Sequence, residues 1–131
     1  MSKRKLTSTN YRNQVELTEF CGMNYALNLL GGRWKLIILY KLEHHAKRYR
    51  DLKGIMPNIT DRMLTLHLKE LERDGLISRI VYPEVPARVE YGLTDIAHML
   101  APVWKQLEHW GNTHRELQEA LPMEKRANLQ Q

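Results

Sequence analysis

The chain has 131 residues, of which 43% are hydrophobic and 27% are charged, and its formal net charge is +5. A chain of this length suits one globular domain and leaves little room for a second. No apolar run approaches the ~20 residues of a membrane span and the first residues lack the hydrophobic segment of a secretory signal, so the cytoplasm is the expected location.

The basic residues are unevenly distributed. Residues 33–73 contain ten basic and five acidic side chains, whereas residues 95–131 contain four and five. A polyanion such as DNA would be attracted to the basic region, although a soluble protein of high pI is the simpler alternative. The single cysteine, Cys21, rules out an internal disulfide and every Cys-x-x-Cys motif.

The first predicted elements are an arm and two helices. Residues 1–14 are polar, with four basic groups and no acidic one, which predicts a mobile basic arm. Apolar residues at helical spacing then predict a helix at about 23–30, and Gly31-Gly32 ends it. The segment Trp34–Leu42 is apolar on nearly all sides, which predicts a buried second helix.

A short helix, a turn and an amphipathic helix come next. Tyr49, Leu52 and Ile55 predict the short helix, and Met56-Pro57 closes it. Thr60 is a good N-cap for a helix that Asp74-Gly75 ends. Leu64, Leu68 and Leu71 form its inner stripe, and its outer face holds Arg62, Thr65, Leu66, Lys69 and Arg73. This order of elements predicts a helix-turn-helix.

The following segment changes period. Residues 76–82 are rich in β-branched side chains, and Val89, Tyr91 and Leu93 alternate with mostly polar residues, which predicts a β-hairpin. Pro83 and Pro86 stiffen its connection. A hairpin directly after a helix-turn-helix is typical of a wing.

A long apolar stripe begins after Thr94, which we expect to cap the helix. Pro102 predicts a kink or a joint between two shorter helices. The stripe is longer than a small domain can cover, so it predicts a subunit interface together with the helix at 23–30; packing within one chain is the alternative. The stripe consists of Ile96, Leu100, Val103, Leu107, Trp110, Leu117 and Leu121.

These patterns predict a mainly α fold with a small β-hairpin wing. We expect a winged helix-turn-helix, dimerised through its N- and C-terminal helices at about 23–30 and 95–121. The single domain would cover residues 15–121, with a frayed tail at 122–131.

Several short motifs follow one another in a fixed order over residues 21–111. They are Cys21 with Ala26-Leu27, Gly31–Lys35, Arg48-Tyr49 with Asp51-Leu52, Met63-Leu64-Thr65, Leu68–Glu72, Asp74–Leu76, Val85-Pro86 and Arg88–Tyr91 with Leu93-Thr94. Together these motifs resemble those of the HxlR-type regulators, a branch of the MarR-like winged-helix proteins. The resemblance implies a dimeric, DNA-binding transcriptional regulator.

Four positions depart from the family pattern. Gly22 stands where the family usually has proline, His67 where glutamine is common, and Ala97 where glycine is typical. Lys69 stands where arginine is usual, and it keeps the charge but loses the two-pronged geometry. A phosphate contact is therefore expected for Lys69 rather than a bidentate contact to guanine.

The candidate DNA-binding residues fall into two groups. Thr60, Arg62, Thr65 and Leu66 lie on the N-terminal half of the outer face, where base edges are within reach. Lys69, Arg73, Arg48 and Arg88 are expected to hold phosphates, although Arg48 has an internal ion pair with Asp51 as its alternative. In a dimer the two helices would enter successive major grooves of a pseudo-palindromic operator.

Cys21 precedes the first helix, whose dipole favours a thiolate. In similar family members an N-terminal cysteine senses oxidants or electrophiles, which makes Cys21 a candidate redox sensor. The alternative is a buried hydrophobic side chain packed beside Phe20.

Other function classes find little support. The chain has no glycine-rich phosphate loop and no Gly-x-Ser-x-Gly motif, so neither an enzyme nor a bound cofactor is expected. The spacing of the six histidines does not suit a metal site. A winged-helix adaptor that binds protein instead of specific DNA sequences is the main alternative. A small-molecule effector is also compatible with the sequence.

Overall fold

The computed structural model describes residues 21–126, which form seven helices and one two-stranded hairpin. In chain order these are α1 (Gly22–Leu30), α2 (Lys35–Lys41), α3 (Tyr49–Ile55), α4 (Asp61–Arg73), β1 (Ile77–Tyr82), β2 (Arg88–Leu93), α5 (Asp95–His98), α6 (Ala101–Glu119) and α7 (Met123–Arg126). The order and the hairpin confirm the winged helix-turn-helix that the sequence predicts.

Both ends of α4 are fixed by local hydrogen bonds. The hydroxyl oxygen of Thr60 accepts from the backbone N–H of Met63 at 3.1 Å, which confirms the predicted N-cap. At the other end Gly75 has a φ of +75°, and the N–H of Leu76 donates to the carbonyl of Leu71 at 2.9 Å. This is a Schellman ending, and glycine adopts its positive φ without strain.

The core lies between α2, α3, α4 and the base of the wing. α4 contributes Leu64, Leu68 and Leu71, as its inner stripe predicts, and burying each leucine contributes about 2 kcal/mol. The remaining core residues come from the other elements: Ile38, Leu39, Leu42, Leu52, Met56, Ile59, Leu76, Ile77, Ala97 and Trp104.

The wing is an antiparallel pair with Ile77 opposite Leu93 and Tyr82 opposite Arg88. Tyr91 also exchanges two backbone hydrogen bonds with Lys47, at 2.8 and 2.9 Å. The loop before α3 is therefore joined to the wing, which fixes the wing relative to the helix-turn-helix.

Thr94 differs from its expected role. It occupies the N-cap position of α5, but its side chain makes no capping hydrogen bond there. Its hydroxyl instead donates to the carbonyl of Gly75 at 2.7 Å. The expected side-chain cap is wrong because this tertiary acceptor, just past the end of α4, takes the hydroxyl.

Pro102 lies in the first turn of α6, and α5 and α6 are separate helices. The predicted joint is therefore confirmed, since proline is tolerated where a backbone N–H needs no helical partner. Trp104 is buried, and its indole N–H donates to the carboxylate of Glu43, which holds α6 against the end of α2.

The predicted arm at residues 1–14 and the positions 127–131 of the predicted tail lie outside the described residues. Within the tail, Met123–Arg126 form one helical turn, in which the guanidinium of Arg126 donates to the carbonyl of Leu121 at 2.7 Å.

Candidate nucleic-acid interface

The outer face of α4 is open to solvent. Leu66 leaves 44% of its surface accessible, although it is apolar. The other candidates on this face are exposed as well: Arg62, Thr65, Lys69 and Arg73. Since the inner stripe packs in the core, α4 presents this face as a continuous ridge about 20 Å long.

The cations on this ridge differ in how free they are. Within residues 21–126, neither Arg62 nor Lys69 has a hydrogen bond or an ion pair. Arg73 donates to the carboxylate of Asp74 at 3.2 Å, and this hydrogen bond raises the pKa of the Arg73 guanidinium. Arg62 and Lys69 therefore keep all their N–H donors for an external partner, whereas Arg73 uses part of its donors on Asp74.

Two candidates lie just before helices. Thr60 is exposed and caps α4 with its hydroxyl oxygen, which leaves its hydroxyl proton free to donate. Arg48 is the exposed N-cap residue of α3. In the part of the chain that the structure describes, Arg48 does not form the alternative ion pair with Asp51.

Arg88 is engaged within the wing. Its guanidinium stacks on the ring of Tyr82, 3.9 Å from the centroid, and lies 3.2 Å from the carboxylate of Glu84. A phosphate would have to compete with Glu84 for it. Arg79 in β1 was not predicted, and it is exposed with no such partner among residues 21–126. The strand pairing places it opposite Tyr91.

Sequence reasoning also missed a trio of polar side chains at the start of α4, formed by Tyr49, Asp61 and Thr65. The Tyr49 hydroxyl donates to the Asp61 carboxylate at 2.8 Å and to the Asp61 backbone carbonyl at 3.2 Å, and the Thr65 side chain lies near the same hydroxyl. Burial, the largest cause, raises the pKa of the Tyr49 phenol, so it remains a donor at neutral pH. In the sequence, Tyr49 helps to predict α3 and belongs to a family motif, but its spacing does not predict a polar contact with α4.

A buried ion pair ties α4 to α2 on the opposite edge. Lys35 is 8% exposed, and its ammonium lies 2.5 Å from the carboxylate of Glu70. This hydrogen bond lowers the pKa of Glu70. His67 is also buried, with Nδ1 3.9 Å from the same carboxylate. The ion pair therefore restrains rotation of α4 about its long axis.

Cys21 is half-buried at the N-cap position of α1, and its side chain makes no capping hydrogen bond. Phe20, the expected packing partner in the alternative interpretation, lies outside the described residues.

An apolar groove lies between α1, α2 and α6. Its volume is about 990 Å³, and Leu27, Leu36, Val103 and Leu107 are among its lining residues. The stripe on α6 continues from it, with Trp110 and Leu117 each 63% exposed. Among residues 21–126, most of this stripe is therefore left uncovered by other elements.

Among residues 21–126, no cluster of three or more His, Cys, Asp or Glu side chains is arranged to hold a metal ion. The helices within the same range are too short or too polar to cross a membrane.

Comparison with known proteins gives consistent matches. The family described as HxlR-like helix-turn-helix matches residues 29–119. YybR of Bacillus subtilis, an uncharacterized HTH-type transcriptional regulator, is 42% identical over 102 residues, which cover 78% of this chain and 82% of YybR.

Two solved structures are also similar. The redox regulator HypR in its oxidized form superposes with a TM-score of 0.68 at 43% identity, covering 71% of this chain and 96% of HypR. The reduced form of the transcriptional regulator YodB from B. subtilis superposes with a TM-score of 0.64 at 35% identity, covering 70% of this chain and 90% of YodB.

Proposed function

Because the chain belongs to the HxlR-like helix-turn-helix family of transcriptional regulators, we propose that it binds a specific DNA operator as a homodimer, with α4 as the recognition helix. The observation that carries this proposal is the exposed ridge of α4, on which Arg62 and Lys69 have no partner among residues 21–126. The same proposal places the protein with the chromosome, in the cytoplasm.

The ridge divides into two working parts. Arg62 stands in the first turn, where its guanidinium would bind guanine O6 and N7, and Leu66 would touch a thymine methyl group. Thr60 and Thr65 are the other candidates for base edges. Lys69 and Arg73 lie further along α4 and would bind phosphates, as would Arg48 at the start of α3 and Arg88 in the wing.

The homodimer would form through the groove and the α6 stripe. Exposed apolar surface of this extent is unfavourable in water, and a second copy related by a two-fold axis would cover it. Such an axis also places two recognition helices in successive major grooves, about 34–36 Å apart. An operator with two inverted half-sites follows from this symmetry.

A redox or electrophile signal is the second part of the proposal. HypR, named a redox regulator, supports it through its similarity, and Cys21 at the start of α1 is the candidate thiol. With one thiol per chain, the response would proceed through a sulfenate, an adduct or a bridge to another molecule or subunit. DNA binding by Cys21→Ser should then be insensitive to diamide. If diamide changes DNA binding by this variant as much as it does for wild type, Cys21 is not the sensor.

The decisive experiment is a selection of bound fragments from random duplexes at a stated salt concentration. We expect an inverted repeat whose affinity falls steeply with salt, because bound phosphates release counterions. The adaptor alternative gives a different result. Binding would be weak and independent of sequence, and the double variant Arg62→Ala, Lys69→Ala would retain full function.

A further inference from the structure

The hydrogen bonds between Tyr49 and Asp61 have a fixed direction. The Tyr49 hydroxyl donates to Oδ1 of Asp61 at 2.8 Å and lies 3.2 Å from the Asp61 backbone carbonyl, which it also faces as a donor. A carboxylate has no proton to donate. What remains for an outside partner is Oδ2 of Asp61, so Asp61 offers acceptors only.

The trio lies where an external partner can reach it. Asp61 and Thr65 are both exposed, and they are four residues apart, on the same side of α4 and one turn from each other. Arg62, which offers only donors, is the next residue along the helix. The first turn of α4 therefore presents an acceptor edge beside a donor group.

A phosphate is the wrong partner for the acceptor edge. The N-terminus of a helix attracts anions through its free N–H groups, but the charge of Asp61 opposes that attraction here. The major groove offers the complementary groups, since cytosine presents an N4 amine and adenine an N6 amine. Adenine places its N7 acceptor beside that amine, where it would meet the lone pairs of the carboxylate. Cytosine presents no such acceptor.

We propose that Asp61 is a specificity-determining residue that accepts a hydrogen bond from the N4 amine of a cytosine, and that Tyr49 is the positioning residue that holds its carboxylate. This inference rests on the proposed function, because it requires α4 to enter the major groove. It adds a base preference that neither Arg62 nor Leu66 supplies.

A structural explanation of the same residues makes different predictions. An acid in the first turn stabilises a helix through its dipole whatever the helix binds. Tyr49 would in that case serve only to join α3 to α4, and its loss would weaken binding to every duplex equally. The base preference at one position separates the two explanations.

The test is the selection from random duplexes, run side by side with wild type, Asp61→Asn and Tyr49→Phe. For wild type we expect cytosine at one position of each half-site. Asparagine carries both a donor and an acceptor and pairs with adenine N6 and N7, so Asp61→Asn should move the preference from cytosine to adenine by about tenfold in relative affinity. Tyr49→Phe keeps the packed ring and should weaken the cytosine preference several-fold, with affinity for random duplex unchanged.

A matched control exists elsewhere in the chain. Asp95 is the first-turn acid of α5, so Asp95→Asn removes a similar charge away from α4. This control should keep the wild-type base preference.

The outcomes separate this inference from the proposed function. If wild type selects no sequence, the proposed function fails. If wild type selects an operator and Asp61→Asn selects the same one, the role of Asp61 is wrong. If Tyr49→Phe leaves the cytosine preference intact, or weakens binding to all duplexes alike, the positioning role of Tyr49 is wrong. Should thermal melting show that Tyr49→Phe is unfolded, Asp61→Asn alone decides between cytosine recognition and a structural acid.

Discussion

Single residues of α4 are distinguished by what they already bind. Arg62 and Lys69 have no partner among residues 21–126, Arg73 is paired with Asp74, and Glu70 is held by Lys35. A side chain without an internal partner gives up hydration and rotamer entropy when it binds DNA, whereas a paired one must also give up an existing contact. The two free cations should therefore dominate the energetics of binding.

Arg62 and Lys69 should fail in different ways when each is changed to alanine. Arg62→Ala should cost about 1–3 kcal/mol at one base position and relax specificity there. Lys69→Ala should weaken binding to all sequences and reduce the salt slope by about one. Fluorescence anisotropy across a salt series measures both effects. Lys125→Ala, on the remote α7, is the control, and equal effects of all three changes would contradict the assignment.

The Lys35–Glu70 pair should stabilise the fold in a pH-dependent manner. Lys35→Met keeps the apolar stem but leaves Glu70 unpaired, at a cost of about 2 kcal/mol at neutral pH. The bond to Lys35 lowers the pKa of Glu70, so its stabilisation is present above the ordinary value of 4.5 and is lost as pH falls below it. Urea unfolding measures the free energy of unfolding from pH 7 to pH 3. This free energy should fall less steeply in acid for the variant than for wild type.

Lys105 provides the matched control for this change. Its ammonium lies 3.4 Å from Glu43, but its side chain is 62% exposed. Lys105→Met should therefore cost less than about 1 kcal/mol. If Lys35→Met lowers the free energy of unfolding no more than Lys105→Met does, Lys35 does not anchor α4.

At the scale of elements, the ends of α4 decide how firmly the ridge is held. Thr60→Ala removes the N-cap and should lower the free energy of unfolding by about 1 kcal/mol, whereas Thr60→Ser should keep it. Chemical denaturation measures this difference. Equal stability of Thr60→Ala and wild type would contradict the capping role.

The elements themselves were largely predictable, because their signals are local. The cap at Thr60, the stop at Gly75 and the joint at Pro102 each depend on residues a few positions apart in the chain. Thr94 was predicted wrongly because its hydroxyl binds Gly75, 19 residues away. Periodicity contains no information about such a tertiary partner.

The exposed residues of the candidate site were predictable from the sequence, but the internal hydrogen bonds and ion pairs of these residues were not. The outward position of Arg62 and Lys69 follows from the helical wheel alone. The engagement of Arg88 by Tyr82 and Glu84 depends on the geometry of the wing. The link between Tyr49 and Asp61 spans two helices, and no spacing rule brings a tyrosine of one helix to the first turn of the next.

At the scale of the whole molecule, the apolar face of α6 is the main feature that a single chain leaves unexplained. Val103 and Leu107 are each 51% exposed on the groove between α1, α2 and α6. Covering them with a second copy would relate the two α4 ridges by a two-fold axis. DNA binding and dimer formation are therefore expected to fail together.

Leu107→Asp should convert the protein to a monomer, because two carboxylates would be buried in an apolar interface. Analytical ultracentrifugation measures the change, and operator affinity should fall by about a hundredfold or more as the second half-site is lost. Asn112→Asp adds a charge on another face of the same helix and should leave the dimer intact. A Leu107→Asp protein that stays dimeric would remove α6 from the interface.

The most direct test of the account is the affinity for the selected operator when the spacing between its half-sites is changed. Inserting about five base pairs, half a helical turn, rotates one half-site to the opposite side of the duplex. We expect affinity to fall by about a hundredfold, to the level of a single half-site. An operator that binds equally well after this insertion would show that the two α4 helices do not read DNA together across a two-fold axis.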